Sequence, residues 1–294
     1  LKNGIIRATN SKTFREDPLR VFRIMQLVPR KGKTVESETL NICREMVEEF
    51  PSISKERVFE EWKKLLLLSD KPSIGLEFLR ESYWIKWFPE LKSLIGCPQN
   101  PDYHSEGDVW AHTLIAVDSA AQLKLQVPED WQLDYMFSVL LHDVGKPETT
   151  DPYTLTAYGH DVAGEEIASN FLLRLTDNKE LIYRVKKIVR LHMQPGFLQR
   201  SNSSESAWKR LHNKIRLDIL AMVSLADAKA TGGVREILDH KPSKLSLSYF
   251  NKFGDKKIIP VLLGRHLIEA GYKPSPEFSQ MLDRAYNYQI ETGC

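Results

Sequence analysis

The pair His142-Asp143 follows an apolar run that begins "MFSVLL" at Met136, within the stretch "LLHDVGKPETT". Imidazole and carboxylate groups are the side chains that most often bind metals or transfer protons. The apolar run predicts a buried helix, so we expect the pair to lie where the core of that helix ends. Taken alone, His142 could simply cap the helix.

Four more residues of the same chemistry lie at predicted helix faces or ends. His112 and His192 each stand on an apolar helical face, and His160 directly precedes a predicted helix. Asp227 also shares a face with aliphatic residues, where a carboxylate is costly to bury without a positive partner. A divalent metal would satisfy the whole set, although each residue alone could be a hydrogen-bonded or ion-paired core residue. Histidine and carboxylate ligands suit Mn, Co, Ni, Mg, Fe or Zn.

The elements that would hold these residues are predicted to be helices. Apolar residues recur at helical spacing and alternating strand patterns are scarce, which predicts an all-α protein. Helices are predicted at roughly 36 to 48, 54 to 68, 72 to 84, 131 to 144, 161 to 175, 178 to 192, 265 to 271 and 276 to 290. Further helices are expected to start at Asp17-Pro18 and at Ser105 to Asp108, and a long one to end near Asp227. Residues 232–247 are predicted to form a loop.

Composition places the chain among folded, cytoplasmic proteins. Its 294 residues are 42% hydrophobic and 27% charged, and no apolar stretch approaches the length needed to cross a membrane. Cys43, Cys97 and Cys294 are far apart, which favours reduced thiols. Residues 1–36 carry a net charge of +6 from nine basic and three acidic residues, leaving −4 for the remainder. This basic end suggests a phosphate-rich partner such as RNA, although a solvated charged face is equally compatible.

His112, His142-Asp143 and Asp227 resemble the metal ligands of the HD superfamily of metal-dependent phosphohydrolases. His160 and His192 match the additional histidines that hold a second metal in some members. The resemblance covers about residues 100–240 and implies phosphoester hydrolysis, in which a metal lowers the pKa of water from 15.7 toward about 7. Asp143 and Lys146 are then the expected catalytic residues. Lys146, one turn after the pair, would contact the substrate phosphate, or it could be an exposed loop lysine.

The opening stretch "GIIRATNSKTFREDPLRVFRIMQL" is similar to a segment of the bacterial class II tRNA nucleotidyltransferases, the CCA-adding enzymes. In that family an E-D-x-x-R motif, here Glu16, Asp17 and Arg20, reads the base of the incoming nucleotide. The resemblance implies nucleotide or RNA binding by Asp17, Arg20 and Arg23, although Asp17 could be only a helix cap. "SKERVFEEWKKLLL" and "GRHLIEAGYKPSPEF" resemble later parts of the same family.

These resemblances divide the chain into three regions. Pro and Gly residues in "FPELKSLIGCPQNPDYH" favour a boundary near residue 100. We expect a neck and body region at 1–100, an HD phosphohydrolase domain at 101–240 and a helical tail at 241–294. The family's catalytic head, with its Gly-Ser turn and paired aspartates, has no counterpart here. "TGGVRE" at 231–236 only superficially resembles the head's glycine-rich opening, and we predict a flexible loop there.

Three functional hypotheses follow. The first is a metal-dependent phosphohydrolase for phosphomonoesters or 2′,3′-cyclic phosphates, acting on tRNA, RNA 3′ ends or small nucleotides without polymerising nucleotides. The second is the C-terminal fragment of a complete CCA-adding enzyme whose head domain is separate, consistent with a start at Leu1. The third is a non-catalytic RNA-binding module with a structural metal. Hydrolysis of cyclic dinucleotides is less favoured because the Gly-Tyr-Pro signature of that subfamily is missing.

Overall fold

The computed structural model describes residues 4–32, 34–231, 240–255 and 257–292. Almost all regular structure in these residues is helical. Two short strands, Ile5–Ile6 (β1) and Thr34–Val35 (β2), pair in parallel near the amino-terminal end. The predicted all-α fold class is therefore confirmed. No helix in these residues is both long and apolar enough to span a lipid bilayer.

The amino-terminal region packs several helices around α2. Its helices are α1 Ser11–Arg15, α2 Leu19–Lys31, α3 Ser37–Glu45, α4 Lys55–Leu68, α5 Pro72–Glu81 and α6 Pro89–Lys92. Short 3-10 helices occur here at Val47–Ser52 and Trp84–Trp87, and later at Lys124–Gln126 and Glu129–Trp131. Helix α2 packs on both α4 and α5. Gly75 permits the closest approach, because a Cβ atom at this position would lie 2.5 Å from the carbonyl oxygen of Met25.

The central region carries all six candidate metal ligands. Its helices are α7 Val109–Leu123, α8 Gln132–Leu141, α9 Lys146–Thr149, α10 His160–Leu173, α11 Lys179–Leu191, α12 Gln194–Arg200, α13 Glu205–Lys214 and α14 Leu217–Ala230. Helix α7 packs against α8 and α14, while α11 packs against α8 and α10. Asp108 caps α7 by accepting a hydrogen bond from the amide of Ala111 at 2.8 Å. The helix start predicted there is therefore confirmed, with Asp108 as its cap.

Two predicted boundaries are wrong. The long helix expected to end near Asp227 is divided into α12, α13 and α14, with Asn202 in the left-handed region at φ +46° between the first two. The loop expected at 232–247 overlaps a helix, because α15 begins at Lys241 and extends to Phe253. His240 caps α15 by accepting from the amide of Ser243, a role that the Lys- and Ser-rich sequence concealed. The predicted loop within "TGGVRE" lies outside the described residues beyond Thr231.

The carboxyl-terminal helices are α15 Lys241–Phe253, α16 Gly264–Glu269 and α17 Pro276–Thr292. Buried side chains form one continuous core from Ile6 to Ala230, without a break at residue 100. Phe59 of α4 stacks on Phe137 of α8, with ring centroids 6.1 Å apart. The core therefore supports the central helices from the amino-terminal side. The three-part division of the chain stays a prediction.

Candidate metal centre

His112, His142, Asp143 and Asp227, the first ligand set, meet where α7, the end of α8 and α14 pack together. Nε2 of His112 lies 3.1 Å from Oδ1 of Asp227 and 3.3 Å from Nε2 of His142. Nε2 of His142 lies 3.2 Å from Oδ2 of Asp143. Helix packing thus brings together four residues that are separated by up to 115 positions, from 112 to 227, in the sequence.

Asp143, His160 and His192 form a second ligand set beside the first. Oδ1 of Asp143 lies 3.5 Å from Nε2 of His160, which in turn lies 3.2 Å from Nε2 of His192. Because Oδ2 of Asp143 faces the first set and Oδ1 faces the second, this carboxylate is shared between them. All six residues predicted from the sequence are therefore brought together in one place.

The four histidines present the same ring nitrogen to the centre. Nδ1 of His142, His160 and His192 each lies 2.6 to 2.7 Å from the backbone carbonyl oxygen three residues earlier. Nδ1 of His112 lies 2.7 Å from Oε1 of Glu106. Since carbonyl and carboxylate oxygens only accept, every Nδ1 donates. In their neutral form the rings therefore direct the Nε2 lone pairs at the centre, which is the arrangement of metal-binding histidines.

The donor atoms fit divalent cations. Ligand atoms about 2.1 Å from a shared ion lie about 3.0 to 3.4 Å from each other in tetrahedral or octahedral geometry. The shortest contacts in the two sets, 3.1 to 3.5 Å, match this spacing. Without a cation or an added proton, the lone pairs of His160 and His192 would face each other. The donor set therefore suits two ions that share Asp143.

Charges within the centre shift its pKa values in the absence of metal. Burial lowers the pKa of His142, but the carboxylates of Asp143 and Asp227 outweigh burial and raise it to about 10. Burial raises the pKa of Asp143, but His142 and Lys146 outweigh it and hold this pKa well below the ordinary range. Burial lowers the pKa of His192 to about 4, so this imidazole is neutral at pH 7.

Glu106 is a functional candidate that sequence reasoning missed. Its buried carboxylate accepts from Nδ1 of His112 through the same Oε1 atom that lies 2.8 Å from Nδ1 of His104. His104 and Glu106 precede α7 in the sequence, and His112 lies on its first turn. The spacing Glu106 to His112 could have indicated a supporting carboxylate, since metal-binding histidines commonly donate to one.

Lys146 lies at the edge of the centre and is not an exposed loop lysine. Its ammonium group is 2.7 Å from Oδ2 of Asp143 and donates to Oε1 of Gln99 at 2.7 Å. Its side chain is only 13% exposed. Lys146 thus lies next to Asp143, whereas its role in phosphate binding stays a prediction.

Gly145 allows the two ligand sets to approach each other. A Cβ atom at this position would lie 2.1 Å from the carbonyl oxygen of His160 and 2.7 Å from the amide nitrogen of Gly164. Such contacts are shorter than any real Cβ atom tolerates, so only glycine fits against the start of α10. The glycine in "HDVGK" thus fixes Asp143 close to His160.

A cavity of about 980 Å³ opens onto both ligand sets. Asp143, His160, His192 and Asp227 line it. Its wall includes Lys146 together with residues from other elements: Gln99, Tyr103, His104, Tyr158, Gly196, Arg200 and Lys241. Small-molecule sites commonly occupy about 300 to 1,000 Å³, so this cavity is large enough for a nucleotide.

The predicted nucleotide-binding residues lie outside this cavity. Asp17 pairs through both carboxylate oxygens with Arg57 at 3.1 Å, and its Oδ2 lies 4.0 Å from Arg23. Arg20 donates to the carbonyl oxygen of Thr13. Asp17 also accepts from the amide of Leu19, the first residue of α2, at 3.3 Å, whereas Pro18 occupies the cap position of this helix. Arg57, which sequence reasoning missed, is the principal partner of Asp17.

Two family models match the chain. Residues 33–95 match the model described as "Probable RNA and SrmB-binding site of polymerase A", and residues 109–232 match the HD domain. A Multifunctional CCA protein of Neisseria meningitidis is 35% identical over 196 residues, covering 66% of this chain and 45% of that protein. The Multifunctional CCA protein of Halorhodospira halophila is 32% identical over 240 residues, covering 77% of this chain and 55% of that protein.

Solved structures of CCA-adding enzymes share the fold. A structure of a CCA-adding enzyme in complex with CTP aligns with 98% of this chain, and the alignment covers 59% of that enzyme. The TM-score is 0.55 and the sequence identity is 16%. The Thermotoga maritima CCA-adding enzyme complexed with tRNA aligns with 98% of this chain, and the alignment covers 60% of that enzyme. The TM-score is 0.50 and the sequence identity is 15%. The chain spans about half of the length of the curated relatives it matches. It is therefore similar to the C-terminal neck, body and tail part of bacterial CCA-adding tRNA nucleotidyltransferases that carry an HD domain.

Proposed function

We propose that this chain is a divalent-metal-dependent phosphohydrolase that acts on phosphomonoesters or 2′,3′-cyclic phosphates. The observation that supports this most is the shared carboxylate of Asp143, which lies between two sets of histidine Nε2 atoms and lines a nucleotide-sized cavity. The match of residues 109–232 to the HD domain agrees with this chemistry. We propose tRNA 3′-end processing or repair in the cytoplasm as its context.

His112, His142, Asp143 and Asp227 would hold one ion, and Asp143, His160 and His192 a second. Bound there, a divalent ion would polarise the phosphoryl group and lower the pKa of a water molecule toward neutrality. Its identity among Mn, Co, Ni, Mg, Fe and Zn is left open by the ligand types.

Asp143 would bind both ions, and Lys146 would contact the substrate phosphate. The ion pair between them leaves the ammonium group in contact with the cavity, where it can meet a phosphoryl oxygen as a point charge. Gln99 accepts from the same group and thereby limits its position. The largely buried ligands exclude most bulk water, which strengthens these electrostatic contacts.

RNA recognition would come from the amino-terminal region. The match of residues 33–95 to an RNA-binding model and the likeness to a CCA-adding enzyme complexed with tRNA support tRNA as the partner. We propose that Asp17, Arg20 and Arg23 take part in nucleotide or RNA binding. Base reading by Asp17 would require exchange of its ion pair with Arg57.

A second candidate function has independent support. The matched relatives extend well beyond this chain, which covers 45% and 55% of the two Multifunctional CCA proteins. The chain could thus act as the C-terminal part of a complete CCA-adding tRNA nucleotidyltransferase, with the head domain supplied in addition. Reading the coding sequence upstream of Leu1 tests this proposal: a glycine-rich segment with paired aspartates in frame supports it, and a start codon directly before Leu1 contradicts it.

Substrate assays separate the hydrolase from a structural metal site. Adenosine 2′,3′-cyclic phosphate, adenosine 2′-phosphate and an aryl phosphate are each incubated with the protein and Mn²⁺, Co²⁺, Ni²⁺ or Mg²⁺. The proposal expects metal-stimulated turnover that Lys146→Met reduces about 10- to 100-fold, with Lys229→Met as an exposed control. If metal raises the melting temperature but no substrate is turned over, the site is structural.

A further inference from the structure

The cavity wall carries two cations that have no ion-pair or hydrogen-bond partner among the described residues. Arg200 ends α12 and Lys241 begins α15, two helices that pack together, and both side chains line the cavity. Among the described residues, neither side chain forms an ion pair or hydrogen bond, whereas Lys146 is paired with Asp143. These two positive charges are therefore available to an anionic ligand.

The position of Arg200 depends on Gly196. A Cβ atom at Gly196 would lie 3.2 Å from Nη1 of Arg200, so the guanidinium group extends back over this glycine. Gly196 itself lines the cavity. A guanidinium group at this position can donate two parallel hydrogen bonds to a phosphate. The ligand sets and Lys146 would provide one phosphate position, and Arg200 and Lys241, which line the same cavity, would provide a second.

Tyr158 supplies an aromatic surface at the rim of the same cavity. Tyr158 is 87% exposed, and the loop that carries it contains internal hydrogen bonds. The amide of Asp151 donates to the carbonyl oxygen of Thr156 at 2.9 Å. The amide of Leu155 donates to the carbonyl oxygen of Asp151, also at 2.9 Å. An exposed ring on such a loop contributes little to the core but can stack on a nucleobase.

We propose that the site binds the 3′ end of an RNA strand in preference to a free mononucleotide. This inference rests on the proposed hydrolase function. The reacting terminal phosphate lies at the ligand sets, a base stacks on Tyr158, and the preceding phosphodiester contacts Arg200 and Lys241. A mononucleotide with a single phosphate fills only one of the two phosphate positions. The cavity volume of about 980 Å³ has room for more than one nucleotide unit.

Hydrolysis rates for two substrates test the preference. Adenosine 2′,3′-cyclic phosphate is compared with a trinucleotide that ends in the same cyclic phosphate, using metal-loaded protein. We expect kcat/KM to be about tenfold or more higher for the trinucleotide. The double variant Arg200→Ala, Lys241→Ala should lower kcat/KM for the trinucleotide about tenfold or more and lower it less for the mononucleotide, so that this advantage is lost. Equal rates for both substrates in the unaltered protein would overturn the proposal.

Binding measured without turnover keeps this test separate from the hydrolase proposal. Fluorescence anisotropy of a 5′-labelled trinucleotide is recorded in chelator at several salt concentrations. Loss of one phosphate contact in the double variant should weaken binding about tenfold and reduce the slope of log Kd against log salt by about 0.7. Unchanged affinity and slope would contradict the second phosphate position, even if no substrate is ever hydrolysed.

Tyr158 has a matched control in its own loop. Tyr153 is 93% exposed but does not line the cavity. Tyr158→Ala should weaken trinucleotide binding about fivefold or more, as expected for the loss of one stacking contact, whereas Tyr153→Ala should have no effect. If both substitutions weakened trinucleotide binding equally, or if neither weakened it, the base-stacking part of the proposal would be contradicted.

Discussion

Nε2 of His160 faces Nε2 of His192 at 3.2 Å, although Nδ1 of each ring is already bonded to a backbone carbonyl oxygen. Two neutral imidazoles in this tautomer direct lone pairs at each other. A cation between them turns this repulsion into coordination. Since Asp143 joins this pair to His112 and His142, the arrangement favours two neighbouring ions over one.

The number of bound ions is the first prediction. Metal analysis of protein loaded with Mn²⁺ or Co²⁺ and freed of excess metal should find about two ions per chain. His192→Ala should reduce this to about one, because it removes a ligand only from the second set. His212→Ala, also at a buried histidine but outside both sets, should retain two. One ion in the unaltered protein would contradict the shared role of Asp143.

Glu106 should determine the affinity of the first ligand set. Glu106→Ala removes the acceptor that fixes the tautomer and orientation of His112, so the Kd for the first ion should rise about 10- to 100-fold. Glu106→Gln keeps an acceptor oxygen and should restore part of this loss. The control is Glu148→Ala, an exposed acid on α9. Competition with a metal-sensitive dye gives the Kd, and an unaltered value in Glu106→Ala would refute a positioning role.

The site was largely predictable because its ligands carry strong local signals. A polar pair after an apolar run and three histidines at helix faces or ends can be found in the sequence alone. Glu106 could not be found with equal ease, because its importance depends on a loop that places its carboxylate beside His112. The shared role of Asp143 depends on the close approach at Gly145, which is a tertiary contact.

The fold class was likewise predictable from apolar spacing, whereas some boundaries were not. The start of α15 at Lys241 rests on a side-chain cap by His240 and on packing against α14. A sequence rich in Lys and Ser gives little apolar periodicity to indicate such a helix. The pairing of Asp17 with Arg57 joins residues 40 positions apart, which no local pattern records.

Gly145→Ala should separate the two ligand sets. The added methyl group would overlap the carbonyl oxygen of His160, so α10 must move away from Asp143. We expect the second ion to bind about tenfold or more weakly, while the first set, which contains no α10 residue, keeps most of its affinity. Glu148→Ala, an exposed position on α9 close in sequence to Gly145, provides the control for expression and folding. Equal loss of both ions would indicate general misfolding instead.

Asp134 should make stability depend on pH. Burial raises its pKa to about 7, and Arg184, 3.9 Å away, lowers it only in part. Because the ordinary value is about 3.9, the folded state disfavours the ionised form, and the free energy of unfolding falls as pH rises from about 4 to 7. Asp134→Asn should therefore stabilise the protein by about 2 kcal/mol at pH 8.

Urea unfolding at two pH values checks this prediction. The advantage of Asp134→Asn at pH 8 should shrink at pH 5, where the folded aspartate is already protonated. Asp130→Asn, in the neighbouring 3-10 helix, serves as the control. An advantage of the same size at both pH values would show that the carboxylate is not the cause.

The most direct test of the central proposal is hydrolysis of adenosine 2′,3′-cyclic phosphate by metal-free protein titrated with Mn²⁺ or Co²⁺. Turnover should appear only as the ions bind, and Asp143→Asn, which alters the one ligand common to both sets, should reduce kcat at least about 1,000-fold while the fold is retained. Turnover that is independent of added metal, or that persists at the unaltered rate in Asp143→Asn, would contradict the assignment of this centre as a phosphohydrolase site.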